Sequence, residues 1–147
     1  MSEPWEKVIK RILTKDKNEP IYWEEFAVSK DTDPDNEKKT IWQAAFSRPC
    51  DGGRHMIGAQ SGISLQTAIL ECLTNVGITD IADPSGSVLD LHLVHLLHYC
   101  SLIRIGKAAS FYVRLLPSPS HTLRLYEGAD PCEVTIRALR EQCTLTV

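Results

Sequence analysis

The sequence has no apolar run approaching the roughly 18–20 residues a bilayer span requires, so a helical membrane anchor is not expected. The amino terminus, Met1-Ser-Glu-Pro-Trp5, has no hydrophobic h-region, and export by a signal peptide is not expected either. Five cysteines (Cys50, Cys72, Cys100, Cys132 and Cys143) form no CxxC pair and no even framework. An odd count without a secretion signal predicts reduced thiols and a cytoplasmic or nuclear location. Positive charge is not in excess: the formal net charge is −3 over 147 residues, whereas a dedicated nucleic-acid binder usually carries a basic domain or face.

Motifs that announce catalysis are missing as well. Gly52-Gly53 and Gly58-Ala-Gln-Ser-Gly62 lack both the Gly-Lys-Ser/Thr ending and the GxGxxG spacing of phosphate loops. Ser64 and the next turn's amides offer the weak anion affinity of any helix start. Asp31, Asp33 and Asp35 alternate, but the glycine and closing glutamate of an EF-hand are absent, so a solvated loop is expected. Glu24 and Glu25 fall on opposite faces of one expected strand and make no carboxylate pair. Cys50 and His55 flank Asp51-Gly52-Gly53; a thiol and an imidazole are the minimum for nucleophilic catalysis, but no third group joins them, and a structural turn is the expectation. No catalytic residue is assigned, no cofactor is expected, and the chain reads as a non-enzyme.

What is present is the patterning of a folded domain, 43% hydrophobic and 24% charged. Ser2 and Pro4 suit a helix start, after which Trp5, Val8, Ile9, Ile12 and Leu13 share one face and Lys7, Lys10 and Arg11 the other. Lys15–Glu19 closes this helix in a polar turn. Ile21–Val28 reads as a strand, and Ser29–Lys39, the most polar stretch, as a surface loop. Strands follow at Thr40–Arg48 and Arg54–Gln60, separated by the turn Pro49–Gly53. A helix capped by Ser64 and stopped by Gly77 carries Leu65, Ala68, Ile69, Cys72, Leu73 and Val76 on its apolar face.

After Ile78–Ser87 the plan recurs. Val88–Tyr99 is either a helix, with Leu89, Leu93, Leu96, Leu97 and Cys100 on one face, or a strand. Leu102–Ile105, Phe111–Leu116 and Leu123–Tyr126 read as strands, with Pro117–Ser120 as a turn. Asp130, Pro131 and Glu133 open a helix whose stripe is Cys132, Ile136, Leu139 and Cys143. The fold class expected is therefore α+β: two pseudo-repeated α-β-β-β-α units, residues 1–77 and 87–147 joined at 78–86, with antiparallel sheets covered by helices, each unit with its own core or both sharing one. Cys72, Cys132 and Cys143 fall on apolar helix faces, where free cysteine acts as a small hydrophobe.

His92, His95 and His98 stand three apart, about 60° between neighbours on a helix turning ~100° per residue. Adjacent members are candidate metal ligands, but all three do not converge, and zinc needs three or four protein ligands. A polar, pH-sensitive helix face is the competing expectation.

The order helix–strand–strand–strand–helix resembles the double-stranded-RNA-binding domain, over roughly Pro4 to Val76, including the aromatic strand after Pro20 and the small-residue turn before the last helix. The resemblance implies duplex-RNA binding through lysines that open the final helix. Here those positions read Ser64-Leu-Gln-Thr-Ala68 and, in the second half, Asp130-Pro-Cys-Glu-Val134; one is neutral and the other acidic. The lysines carry much of the electrostatic affinity for phosphates, so tight duplex binding at physiological salt is not expected. Small acidic secretion chaperones, which act as homodimers, resemble a related layout. The leading expectation is a non-catalytic interaction module that binds a protein partner or itself, with no membrane partner. The alternative is a duplex-RNA-binding accessory factor of viral or host-defence type, similar to silencing suppressors. Its phosphate contacts would be Lys7, Lys10, Arg11, Lys38, Lys39, Arg48 and Arg54, with Trp23 or Trp42 stacking on a terminal base.

Overall fold

A computed structural model describes residues 4–14, 23–33, 35–84, 87–117 and 123–145. The described chain runs α1 (Trp5–Thr14), β1 (Glu25–Asp33), β2 (Asn36–Cys50), β3 (Gly53–Ser61), α2 (Leu65–Asn75), α3 (Val88–Leu96), β4 (Cys100–Lys107), β5 (Phe111–Pro117), β6 (Arg124–Gly128) and α4 (Pro131–Leu145). It is α+β: the strands form one antiparallel sheet in the order β3-β2-β1-β4-β5-β6, and the four helices cover one of its faces.

Local chemistry explains the ends of these elements. Ser64 caps α2 by accepting the Thr67 amide at 3.1 Å, and Ser87 caps α3 by accepting that of Asp90 at 3.3 Å. The Asp130 carboxylate accepts the Cys132 amide at 2.9 Å, just before Pro131 starts α4. At the β2–β3 turn Gly52 has φ +84° and Gly53 φ +153°, which L side chains rarely adopt.

Alternation does the rest. Phe26, Val28, Ala44, Phe46, Ile103, Ile105, Val113 and Leu115 point to the helices and are buried, as are Trp5, Val8, Ile9, Ile12 and Leu13 on α1. Phe26 lies at the centre, its ring 4.9 Å from that of Phe46 and 6.4 Å from that of Trp5. Residues of both halves belong to a single core cluster, and the halves meet through β1 and β4, where Phe26 pairs with Ile105.

Three readings of the sequence change. The stretch 29–39 is a β-hairpin and not a loop, because β1 continues to Asp33 and β2 begins at Asn36. Beyond Ser29 and Trp42 its strands lose their outer neighbours, so residues 30–41 project as a two-stranded ribbon. Each strand satisfies the other's backbone, and with both faces wet no hydrophobic alternation reveals it. Pro49 and Cys50 belong to β2, leaving Asp51-Gly52 at the turn. Residues 88–96 are helical, with Leu89, Leu93 and Leu96 buried. The expectations for Ser2, Lys15–Glu19, Ile21, Tyr22, residues 118–120 and the Cys143 side chain lie outside the described residues.

Candidate interaction surface on the open face of the sheet

Every second residue of the strands points away from the helices. Across β3 to β6 one row reads Met56, Ser47, Glu25, Gly106, Tyr112 and Glu127; the next reads Gly58, Ala45, Ala27, Arg104, Arg114 and Leu125. No helix among the described residues covers this face, yet Glu25 is only 1% exposed. Its neighbours on the sheet bury it.

The Tyr112 hydroxyl donates to Glu25 Oε2 at 2.6 Å, and the Arg114 guanidinium donates to the same oxygen. Arg104 Nη1 lies 3.7 Å and Arg54 Nη2 4.0 Å from Oε1. Arg54 is shared with Glu24 at 3.1 Å and donates to Ser47 Oγ at 3.1 Å. Burial, then the hydrogen bond to Glu25 and that carboxylate's charge, raises the Tyr112 phenol well above its ordinary range. Gly106 makes this geometry possible, since a Cβ there would overlap the Tyr112 ring and hydroxyl. Glycine lets the phenol lie across β4 and reach β1.

Around this network the face is apolar in part. Ala27, Ala45 and Gly58 form a small-residue floor on one side. Met56, Leu123 and Leu125 are 61%, 61% and 57% exposed, so three large apolar side chains are left in water on this side of the sheet. The sheet edges are less inviting: Asn75 donates to the Gly58 carbonyl of β3 at 3.1 Å, and Arg137 donates to the Glu127 carbonyl of β6.

The residues singled out for RNA contact do not meet at one place. Lys7, Lys10 and Arg11 lie exposed on α1, where Lys10 pairs with Asp130 at 3.1 Å. Lys38 and Lys39 are on the projecting ribbon. Arg48 lies on the covered side, 4.9 Å from the Trp23 ring centroid, and Arg54 on the open side. Trp23 is 5% exposed and packs on Phe46 and His55. Trp42 is half-buried, with Lys30 Nζ 5.8 Å from its ring.

The histidines separate in the same way. His92 turns to α4 and shares a hydrogen bond of 2.9 Å with Thr135, and burial lowers its pKa from the ordinary value. His95 and His98 are exposed, with ring centroids 6.5 Å apart. Among the described residues no group of three His, Cys, Asp or Glu is placed to hold a metal ion.

Cys50 is exposed, but His55 packs on Trp23 at 5.3 Å. Burial pushes the Cys72, Cys100 and Cys132 thiols up to about 12, so they are neutral at ordinary pH. Cys72 is fully buried, whereas half-buried Cys132 donates its thiol to Glu6 at 3.4 Å.

Glu24 and Glu25 depart from the expected opposition. A bend at Glu24 precedes the strand, so alternation starts only at Glu25 and both carboxylates approach Arg54. Glu25, Arg104, Tyr112 and Arg114 are not recognisable as a group from the sequence. Their polar parity within apolar strands marked one shared face, but the β1–β4 pairing that brings Glu25 to them joins distant segments.

No protein-family model, curated protein or solved structure matches this chain.

Proposed function

We propose that this chain is a non-catalytic interaction module that binds a protein partner, or a second copy of itself, through the open face of its sheet. The observation that carries this reading is the exposure of Met56, Leu123 and Leu125 on a face whose charged centre is already ordered by Glu25. An ordered surface loses less conformational entropy on binding, and the apolar residues supply area to bury. The blunted edges favour this face over strand addition. The duplex-RNA reading has less support, because its proposed contacts are dispersed over both sides of the molecule and Trp23 is buried. A chaperone-like homodimer falls within the same proposal as its self-association form.

The pseudo-repeat is part of this reading. Its support is the element order, which places helix–three strands–helix on each side of the β1–β4 junction. Duplication would build a broad sheet from two narrow ones.

The test compares wild type with a Met56→Ser, Leu123→Ser, Leu125→Ser variant and with a Lys7→Glu, Arg11→Glu variant on α1. Light scattering over a concentration series reads self-association, and cross-linking in the source cells reads partners. Association abolished only in the open-face variant supports the proposal. Association abolished only in the α1 variant, or steeply salt-dependent sub-micromolar binding of duplex RNA, would reject it.

A further inference from the structure

Arg104 and Arg114 stand directly opposite each other in the β4–β5 ladder. Like charges in that position repel, and an anion between or beside them relieves the repulsion. Glu25 supplies one carboxylate to three guanidiniums, and among the described residues only Arg54 has a second carboxylate, Glu24, at 3.1 Å. The two facing arginines are 43% and 38% exposed at the side chain. Arg114 Nε lies out of water with no hydrogen-bond partner among the described residues, so the network is incompletely satisfied. On the side away from Glu25, the same two arginines meet Leu102, Leu116 and Leu123 around a groove of about 230 Å³.

Resting on the open-face reading, we propose that the Arg104–Arg114 pair and this leucine groove receive an acidic, apolar segment of a partner polypeptide. A carboxylate of the segment bridges the guanidiniums, and a neighbouring apolar side chain fills the groove. The charge pattern selects this occupant. Guanidiniums match a planar carboxylate in bidentate geometry, and the leucines take an aliphatic side chain. A polyphosphate chain crossing the same face would meet Glu24 and Glu127. The described open face offers leucine and methionine around the arginines, and its one aromatic ring beside them, Tyr112, is held by Glu25 and lies under Arg114, whereas a nucleic-acid site would use free aromatic rings for stacking.

The test uses the full chain and two fluorescein-labelled peptides of alternating sequence, Leu-Glu and Leu-Gln, with a uridine oligonucleotide as competitor. The Leu-Glu peptide is expected to bind at least about tenfold more tightly, to shift amides of β4, β5 and β6, and to resist the oligonucleotide. Arg104→Gln should reduce its affinity to that of Leu-Gln, while Lys7→Gln on α1 leaves it unchanged. Arg104→Gln keeps Arg114 and Tyr112 on Glu25; the paired Glu25→Gln, Arg114→Gln variant, checked for folding by circular dichroism, is the second variant and should lose affinity equally. Equal binding of the two peptides on the open face overturns this proposal and leaves the open-face reading standing. Tighter binding of the oligonucleotide, or no open-face shift with either peptide at millimolar concentration, also overturns it. In the last case the Met56/Leu123/Leu125 comparison decides the broader reading separately.

Discussion

On the helix-covered face of the sheet, Phe26, Val28, Phe46, Ile105 and Val113 are at most 1% exposed, while one residue away Ala27, Ala45, Arg104 and Tyr112 remain partly in water. The covered face is held by apolar area and ring packing. The open face is held by a carboxylate that its own neighbours desolvate. The contrast teaches that a sheet face without a second layer can still be ordered, provided that its buried charge is paired. Such order comes from geometry, and each lost partner leaves the buried charge less well paired.

The contrast breaks most severely at Phe46. Phe46→Ala is expected to cost about 3–5 kcal/mol in denaturant unfolding, from lost burial and the cavity left behind. Equal costs for Phe46→Ala and Met56→Ala would mean that the faces do not differ as described. Next comes Arg114→Met, which takes from buried Glu25 its nearest guanidinium and should cost about 2 kcal/mol after allowance for the partly exposed side chain. Adding Glu25→Leu should recover much of that loss; an additive double variant would show that the two residues are not coupled.

Gly106→Ala is expected to cost about 1–2 kcal/mol by displacing Tyr112. Tyr112→Ser should then remove most of the penalty, and its failure to do so would place the strain elsewhere. A smaller effect lies behind the covered face, at His92. Its folded pKa is lowered from 6.5, chiefly by burial, with Glu6 opposing and His95 and Arg140 reinforcing. The unfolded chain therefore takes up this proton first, and stability should fall as pH drops below 6.5, levelling off once the folded histidine also protonates. His92→Gln should flatten this part of the stability profile, and an unchanged slope would assign it to another group. Smallest of all, Leu125→Ser should alter stability by no more than about 0.5 kcal/mol while weakening partner binding.

Helices α1 and α2 were legible because each combines an apolar stripe with a local end signal, whereas residues 88–96 fitted helix and strand alike. Helix α4 was legible by its start alone: its buried side is Val134, Thr135, Ala138 and Gln142, with the expected Cys132, Ile136 and Leu139 only half-buried. Ser64, Gly77, Asp130 and Pro131 act within one turn of the residues they organise, so short-range chemistry was enough. The inner strands β4 and β5 were legible by alternation. The ribbon was not, since the described side chains of 30–41 have no buried side to set a period. The open-face network was half legible: Arg104, Tyr112 and Arg114 held the polar parity of their strands, but nothing near Glu25 indicated which strand would lie beside it. The bend at Glu24 hid the carboxylates further by breaking the expected alternation one residue before β1. Long-range register is decided by the collective burial of Phe26, Ile105 and their neighbours, which no local window contains.

The β1–β4 seam also sets a clock. Phe26 waits for Ile105, about eighty residues later in the chain, before its strand is flanked on both sides. At ~5–20 residues per second of synthesis that interval is about four to sixteen seconds. During it β1 is expected to present a bare edge beside an unfinished core, the condition in which strands recruit wrong neighbours. Ribosome-bound chains halted before β4 should therefore be cut by protease within β1–β2, and chains extended past β5 should resist. Protection before β4 emerges would show that the first half settles without its neighbour. For this molecule, the order in which strands are made matters as much as the order in which they lie.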